Sequence, residues 1–318
     1  MTDPAAIAAS TIPPRPRGGE RMRLWYRTLR APSLLTSVVP AAAGGLTAIG
    51  ARHADWWLLA VALLALLCLH AGTNISNDVE DAARGVDPPD KVLRNSQVFN
   101  TGRLTIAEGR RLYGSCFGVG LLLGIVIAAV QGPAILVIGI IGLLGGLLYT
   151  AGPRPYKYLG LGEGAIVLLM GPLMTQGAAT AVSGDAFSAQ AFWTGIGPGL
   201  LITCVLASNN LDDIDGDRDT GARTLAVRIG LSRYRLVYVT AGLAVIPAQV
   251  ALWASGLFDA WILLPLLAAL LMLARAREVL ALRRSDDPAL ATLTPRTAQV
   301  HLLFGVLLVV AVVLSRAL

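Results

Sequence analysis

Two short runs of this 318-residue chain concentrate carboxylates and are the natural place to look for chemistry. The first reads Asn74-Ile-Ser-Asn77-Asp78-Val-Glu80-Asp81-Ala-Ala-Arg84-Gly85-Val-Asp87-Pro-Pro-Asp90. The second reads Asn209-Asn210-Leu-Asp212-Asp213-Ile-Asp215-Gly-Asp217-Arg218-Asp219. Together they hold half of the 20 Asp and Glu in the chain. Both show Asn-x-x-x-Asp spacing, from Asn77 to Asp81 and from Asn209 through Asp213 to Asp217. On a helix, positions i and i+4 share a face. Asn209, Asp213 and Asp217 would then form one stripe of oxygen ligands, and Asn74, Asp78 and Asp81 another. Acids stacked in this way repel and need a counter-charge. Hard oxygen donors suit Mg²⁺, which binds through one or two carboxylates and completes its shell with phosphate oxygens and water. A solvated acidic loop is the bland alternative. Two copies of the pattern, each directly after an apolar run, argue against it.

The neighbouring residues are basic. Arg84, Lys91 and Arg94 follow the first run, and Arg218, Arg223 and Arg228 lie in or after the second. Arg154 and Lys157 stand in a third segment, Tyr149-Thr-Ala-Gly-Pro153-Arg154-Pro-Tyr156-Lys157-Tyr158-Leu-Gly-Leu-Gly-Glu163. Carboxylates that hold a divalent cation, set beside Arg and Lys, make a site for a diphosphate leaving group. Arg94, Lys157 and Arg223 are read as functional. Arg110, Arg111, Arg233, Arg235 and the bases of 275–296 are read as topology anchors. His70 lies one turn before Asn74 on the same face and is a candidate hydrogen-bond donor to an acceptor. His301 is read as interfacial. Glu163 is expected either to orient Lys157 or Arg154 or to favour its own helix N-terminus. Gly118, Gly120, Gly142, Gly145 and Gly146 read as helix-packing residues.

The elements that must position these groups follow from composition. Hydrophobic residues make up 55% of the chain and charged residues 14%, against about 25% charged in ordinary soluble domains. That excludes a water-soluble globule, a disordered chain and a disulfide scaffold. The three cysteines lie in apolar runs and read as packing residues. Apolar runs predict an all-α, polytopic membrane bundle of nine spans near 33–50, 56–76, 112–130, 133–151, 160–182, 191–208, 236–255, 258–274 and 298–315. Only Gln131, Gly132 and Pro133 separate the third span from the fourth. Residues 1–30, rich in Pro and Arg, read as an unstructured tail, with one membrane domain over 31–318. With the N-terminus in the cytoplasm, all of the 26 Lys and Arg except Arg52 and Arg316 fall on the cytoplasmic side, as the positive-inside rule requires. The net charge of +6 is therefore a topology signal, and no nucleic-acid partner is expected. Both acidic runs lie at the cytoplasmic mouth, whereas a transporter would more naturally carry ionisable groups at mid-membrane.

On Asn77-Asp78-x-x-Asp81-x-x-x-Gly85-x-Asp87, the segment Tyr149 to Glu163, Asn209-Asn210-Leu-x-Asp213-Ile-x-Gly-Asp217-Arg218 and Thr224-Leu-Ala-Val-Arg228-Ile-Gly230, the chain resembles the UbiA superfamily of intramembrane prenyltransferases over nearly its whole length. Within that superfamily it most resembles the branch that prenylates 1,4-dihydroxy-2-naphthoate in menaquinone synthesis. The resemblance implies nine helices around a cavity open to lipid, in the cell membrane. It implies Mg²⁺ held by Asp78, Asp81, Asp213 and Asp217 against the diphosphate of a polyprenyl donor, with Lys157 completing the catalytic set. Asn74, Asn77, Arg94, Tyr149, Arg154, Tyr156, Asn209 and Arg223 would bind substrates. Loss of diphosphate would leave an allylic cation, shielded by tyrosines such as Tyr149, Tyr156 and Tyr158 and attacked by the aromatic ring with loss of its carboxylate. Asp212 and Ala222 stand where that branch usually carries Arg and Lys. Another phenol, quinol or lipid acceptor, or a terpene cyclisation, is therefore the alternative reading.

Overall fold

The computed structural model describes residues 17–86 and 97–317. Every regular element among them is helical, because apolar chain in a bilayer must satisfy its backbone hydrogen bonds within the segment. The helices of six residues or more are α1 (Gly19–Leu29), α2 (Ala31–Leu46), α3 (Trp57–Ala83), α4 (Ile106–Gln131), α5 (Ala134–Thr150), α6 (Gly162–Leu169), α7 (Pro172–Ser183), α8 (Ala189–Thr194), α9 (Ile196–Asp219), α10 (Leu225–Ala254), α11 (Leu266–Ala281) and α12 (Leu290–Ala317). Seven segments among the described residues are long and apolar enough to cross a membrane. α2 and α5 are apolar but shorter, at 16 and 17 residues. Each of the nine expected spans falls on one of these segments.

Local chemistry explains the boundaries. Thr105 caps α4 in a reciprocal pair with Glu108: its hydroxyl accepts from the Glu108 amide at 3.1 Å, and Glu108 accepts from the Thr105 amide at 2.9 Å. α4 stops at Gln131, and Gly132 turns the chain at φ 90°, a conformation that only glycine adopts readily. The expected fifth span breaks into α6 and α7 at Gly171, where Pro172 opens the second piece. This break packs on the α8–α9 junction with backbone against backbone. A Cβ at Gly199 would sit 2.3 Å from the Val167 carbonyl oxygen, and one at Gly195 2.5 Å from the Pro172 nitrogen. The start of α10 is kinked at Gly230, with φ 74°.

Three expectations are corrected. Residues 19–29, assigned to the unstructured tail, form α1. Its Leu24 is buried with Ile75, Val79, Phe99 and Leu104. His301 is not interfacial; it is fully buried in α12, with Nε2 3.1 Å from the Thr36 carbonyl oxygen. Gly118 packs against nothing, having open space where its Cβ would be, and Gly142 meets only Leu173 at 3.8 Å. By contrast, a Cβ at Gly145 would meet Leu169 at 2.6 Å, and one at Gly146 would meet Thr73 at 2.2 Å. All three cysteines are free thiols, with Cys204 buried.

α9, which carries the second acidic run, packs on α6, α10 and α12, while α3, which carries the first, packs on α4, α5 and α2. The main core gathers Leu211, Tyr234, Tyr238, Met272 and Phe304 between α9, α10, α11 and α12. Side chains such as Leu122, Ile140 and Leu270 point outward and stay exposed, as a lipid-facing belt does.

Candidate active site

α3 runs on to Ala83 and α9 to Asp219, so Asn74 to Asp81 of the first acidic run and Asn209 to Asp219 of the second ride helices, as the i, i+4 spacing predicts. They flank the mouth of one cavity of about 1010 Å³. Asn74, Asn77 and Asp81 line it from α3, and Asn209, Asp213 and Asp217 from α9. Tyr149 lines it from the end of α5, and Tyr156 and Lys157 from the α5–α6 connection. Below this rim the lining turns apolar, through Leu66, Gly124, Ile127, Ile135, Gly139 and Leu173. On α3 the lining extends from Asp81 down to Ala62. Asn77 and Ala62 alone are fifteen residues apart, or ~22 Å of helix at 1.5 Å per residue.

The rim is a network of acids and cations. Lys157 Nζ donates to Asp81 Oδ2 at 2.6 Å and to Asn77 Oδ1 at 3.1 Å. Asn77 Oδ1 also accepts from Thr150 Oγ1 at 2.9 Å. The Tyr158 hydroxyl donates to the other Asp81 oxygen. Burial works against the Lys157 ammonium, but the Asp81 carboxylate more than reverses it and holds the amine above its ordinary value of 10.5. Burial pushes the Tyr158 phenol up; Lys157 opposes this and Asp81 adds to it. Burial also pushes Tyr156 up. Tyr156 donates to the Gly145 carbonyl at 2.6 Å and meets Tyr149 edge to face, with ring centroids 5.3 Å apart. Lys157 Nζ lies 6.0 Å from the Tyr149 ring centroid, within reach of a cation–π attraction.

Asp78 is arranged differently. It is buried beside the cavity rather than lining it, and it pairs with Arg30. Arg30 lines the cavity from the α1–α2 junction with left-handed backbone, φ 51°, which is uncommon for a residue other than glycine. On the second helix, Asp217 accepts from Thr224 Oγ1 at 3.3 Å, and Asn209 Oδ1 accepts from Thr294 Oγ1 at 2.9 Å. The α11–α12 connection closes over this side, where Ser285 donates to Asp215. Asp212 lines the mouth and is exposed; Ala222 is buried, with its amide on the Asp217 carbonyl at 2.7 Å.

Some expected contacts do not form. Arg154 and Arg223 are exposed and do not line the cavity. Arg94, with Asp87, Asp90 and Lys91, lies outside the described residues. Glu163 touches neither Lys157 nor Arg154. It is buried and accepts from Asn210 Nδ2 at 3.0 Å and from the Tyr234 hydroxyl, with Asn210 also 3.0 Å from that hydroxyl. Arg110 does more than anchor topology, because it forks onto Glu80 at 2.9 and 3.0 Å. Sequence reading missed Arg30, which looked like one more flanking charge, and Ser285, which carries no motif. It also missed the Glu163–Asn210–Tyr234 cluster, whose members are far apart in the chain.

The fold is a bundle of membrane-length helices in which two helices carrying acidic runs flank the mouth of one largely apolar cavity. Residues 37–294 match the UbiA prenyltransferase family. The chain is 32% identical over 266 residues to 1,4-dihydroxy-2-naphthoate octaprenyltransferase of Mycobacterium tuberculosis, covering 80% of this chain and 85% of that one. It is 30% identical over 309 residues to the enzyme of the same name from Escherichia coli, covering 93% and 97%. Its fold is similar to a UbiA homolog from Archaeoglobus fulgidus solved with GPP and Mg²⁺, with a TM-score of 0.65, 16% identity and coverage of 90% and 99%. The chain belongs to the UbiA prenyltransferase family. It is a multi-pass membrane prenyltransferase.

Proposed function

We propose that this enzyme transfers a polyprenyl group from polyprenyl diphosphate to 1,4-dihydroxy-2-naphthoate, at the cytoplasmic face of the cell membrane. The observation that carries the reading is the continuity of one cavity, from a rim of carboxylates and cations into a deep apolar bore. A diphosphate suits the rim and a prenyl chain suits the bore, where each buried CH₂ contributes roughly 0.8 kcal/mol. The relatives from M. tuberculosis and E. coli, named as naphthoate octaprenyltransferases, support the acceptor. The Lys and Arg flanking the spans support a cytoplasmic mouth.

The donor set fits Mg²⁺. Asp81, Asp213 and Asp217 line the rim, and Asp78 sits one residue past Asn77. Among the described residues no three His, Cys, Asp or Glu side chains stand close enough to hold a metal ion by themselves, and the reading rests on the oxygen chemistry of these carboxylates. When bound, Mg²⁺ supplies Lewis-acid stabilisation to the departing diphosphate. Lys157 and Arg30 add positive charge on the same side. The C–O bond to diphosphate breaks, with its electron pair leaving on the diphosphate. A ring carbon of the naphthoate then forms the new C–C bond, and loss of CO₂ returns an electron pair to the ring. The apolar walls would keep water from the allylic cation, and the rings of Tyr149 and Tyr156, which line the cavity, would shield it.

Asp212 and Ala222, both beside the rim, favour a second reading in which another phenol, quinol or lipid is prenylated, or the donor is cyclised. Product mass separates the two. Purified enzyme in detergent, with Mg²⁺ and geranylgeranyl diphosphate, is run with and without 1,4-dihydroxy-2-naphthoate. A prenylated, decarboxylated naphthoquinol supports the first reading. A hydrocarbon or prenyl alcohol alone moves the assignment to the second.

A further inference from the structure

Just beneath the acidic rim, the cavity has one polar wall. Ser33 and Thr36 of α2 and Asn74 and His70 of α3 line it there. Asn74 Nδ2 donates to Ser33 Oγ at 3.0 Å and to the Leu29 carbonyl at 3.3 Å. His70 Nδ1 lies 2.6 Å from the hydroxyl of Ser37, which is itself buried. The Thr36 carbonyl is held by His301 of α12 at 3.1 Å. The facing walls, from α4, α5 and α7, are apolar: Gly124, Ile127, Gly139 and Leu173. A prenyl chain makes no hydrogen bonds, and laying it on the polar wall would strip water from those groups without replacement. The prenyl chain therefore belongs on the apolar side, and the polar wall suits a second substrate that carries oxygen.

The geometry of that wall is specific. With Nδ1 engaged by Ser37, the imidazole has Nε2 left for a ligand. His70 and Asn74 share one face of α3, a helical turn or ~6 Å apart. Two oxygens placed para on an aromatic ring are separated by a comparable distance. Asn74 is the nearer to the rim and His70 is the deeper.

We propose that His70, fixed by Ser37, orients the aromatic acceptor: it hydrogen-bonds the ring oxygen farther from the diphosphate while Asn74 faces the nearer one. This rests on the reading of the acceptor as a para-dihydroxy aromatic. His70 then sets acceptor recognition and takes no part in ionising the donor.

The test is steady-state kinetics of purified enzyme in detergent with Mg²⁺ and geranylgeranyl diphosphate. The acceptors are 1,4-dihydroxy-2-naphthoate and 1-hydroxy-2-naphthoate, which lacks the second para oxygen. His70→Ala is expected to raise the acceptor KM about tenfold, the size of one lost hydrogen bond. The donor KM and donor-only diphosphate release stay within about twofold. The preference for the dihydroxy acceptor shrinks in parallel, and His70→Gln recovers part of it. Ser37→Ala, which removes only a hydroxyl, moves the same parameters in the same direction by a smaller factor and reports even if His70→Ala does not fold. An unchanged acceptor KM and preference in these variants, or a donor KM that rises in step, overturns the proposal. A wild-type enzyme that releases diphosphate but never prenylates the naphthoate overturns the acceptor reading beneath it, and this inference with it. A wild type that prenylates both naphthoates equally well overturns this inference alone.

Discussion

Lys157 reaches from the α5–α6 connection to within 2.6 Å of the Asp81 carboxylate on α3, joining the third motif of the chain to the first. Both side chains are mostly out of solvent, at 14% and 4% exposure. The pair pre-positions a cation at the rim where a diphosphate would arrive. Losing one partner of such a buried pair leaves the other uncompensated. Lys157→Ala is expected to lower kcat/KM for the prenyl donor about a hundredfold, in line with the loss of one preorganised charge. Lys157→Arg should recover only part, since a planar guanidinium does not replace a compact ammonium. Donor kinetics at saturating acceptor check this.

The same pair fixes a pH dependence. Lys157 has its pKa raised in the folded protein. A raised lysine contributes fully below its ordinary value of 10.5 and is lost only as pH climbs through the higher folded value. The ratio of wild-type to Lys157→Ala kcat/KM should therefore stay flat from neutral pH to about pH 10. A ratio that collapses within this window would assign the lysine a depressed pKa instead.

Gly124 and Gly139 line the apolar bore, and a Cβ at either position meets open space. Leucine at either site should fold normally and fill the bore. The expected outcome is a loss of about tenfold in kcat/KM for octaprenyl diphosphate relative to geranyl diphosphate, the scale at which apolar pockets discriminate by size. Competition between the two donors measures it.

Glu163 closes a buried cluster with Asn210 and Tyr234, tying α6 to α9 and α10 next to the second acidic run. Glu163→Ala strands the Asn210 amide and the Tyr234 hydroxyl, each costing about 1–3 kcal/mol when left unsatisfied. Thermal unfolding in detergent should show a clear drop in Tm, with Glu163→Gln intermediate. Activity should fall in step, because Asn210 also lines the cavity.

Much of this architecture was legible in the residues. The apolar runs found the helices because bilayer thickness and backbone satisfaction leave little choice. The i, i+4 acids found the cavity because Asn209, Asp213 and Asp217 stay on one helical face all the way to Asp219. What eluded sequence reading depends on long-range closure. Asp78 shares the spacing of its neighbours, yet its partner Arg30 sits 48 positions earlier. Arg154 and Arg223 look like diphosphate ligands from composition alone, but the turns that carry them leave both exposed. His301 reads as interfacial from its place near a helix start, but packing against α2 buries it.

The central claim is that the two acidic helices act together to ionise the donor. The most direct measurement is Mg²⁺-dependent diphosphate release from geranylgeranyl diphosphate and 1,4-dihydroxy-2-naphthoate, comparing wild type, Asp81→Asn, Asp213→Asn and the double variant. The account predicts that each single variant loses at least about a hundredfold while remaining inserted and monodisperse in detergent, and that the double variant is scarcely worse than either, as groups acting as one unit behave. Release near the wild-type rate in either single variant would contradict it.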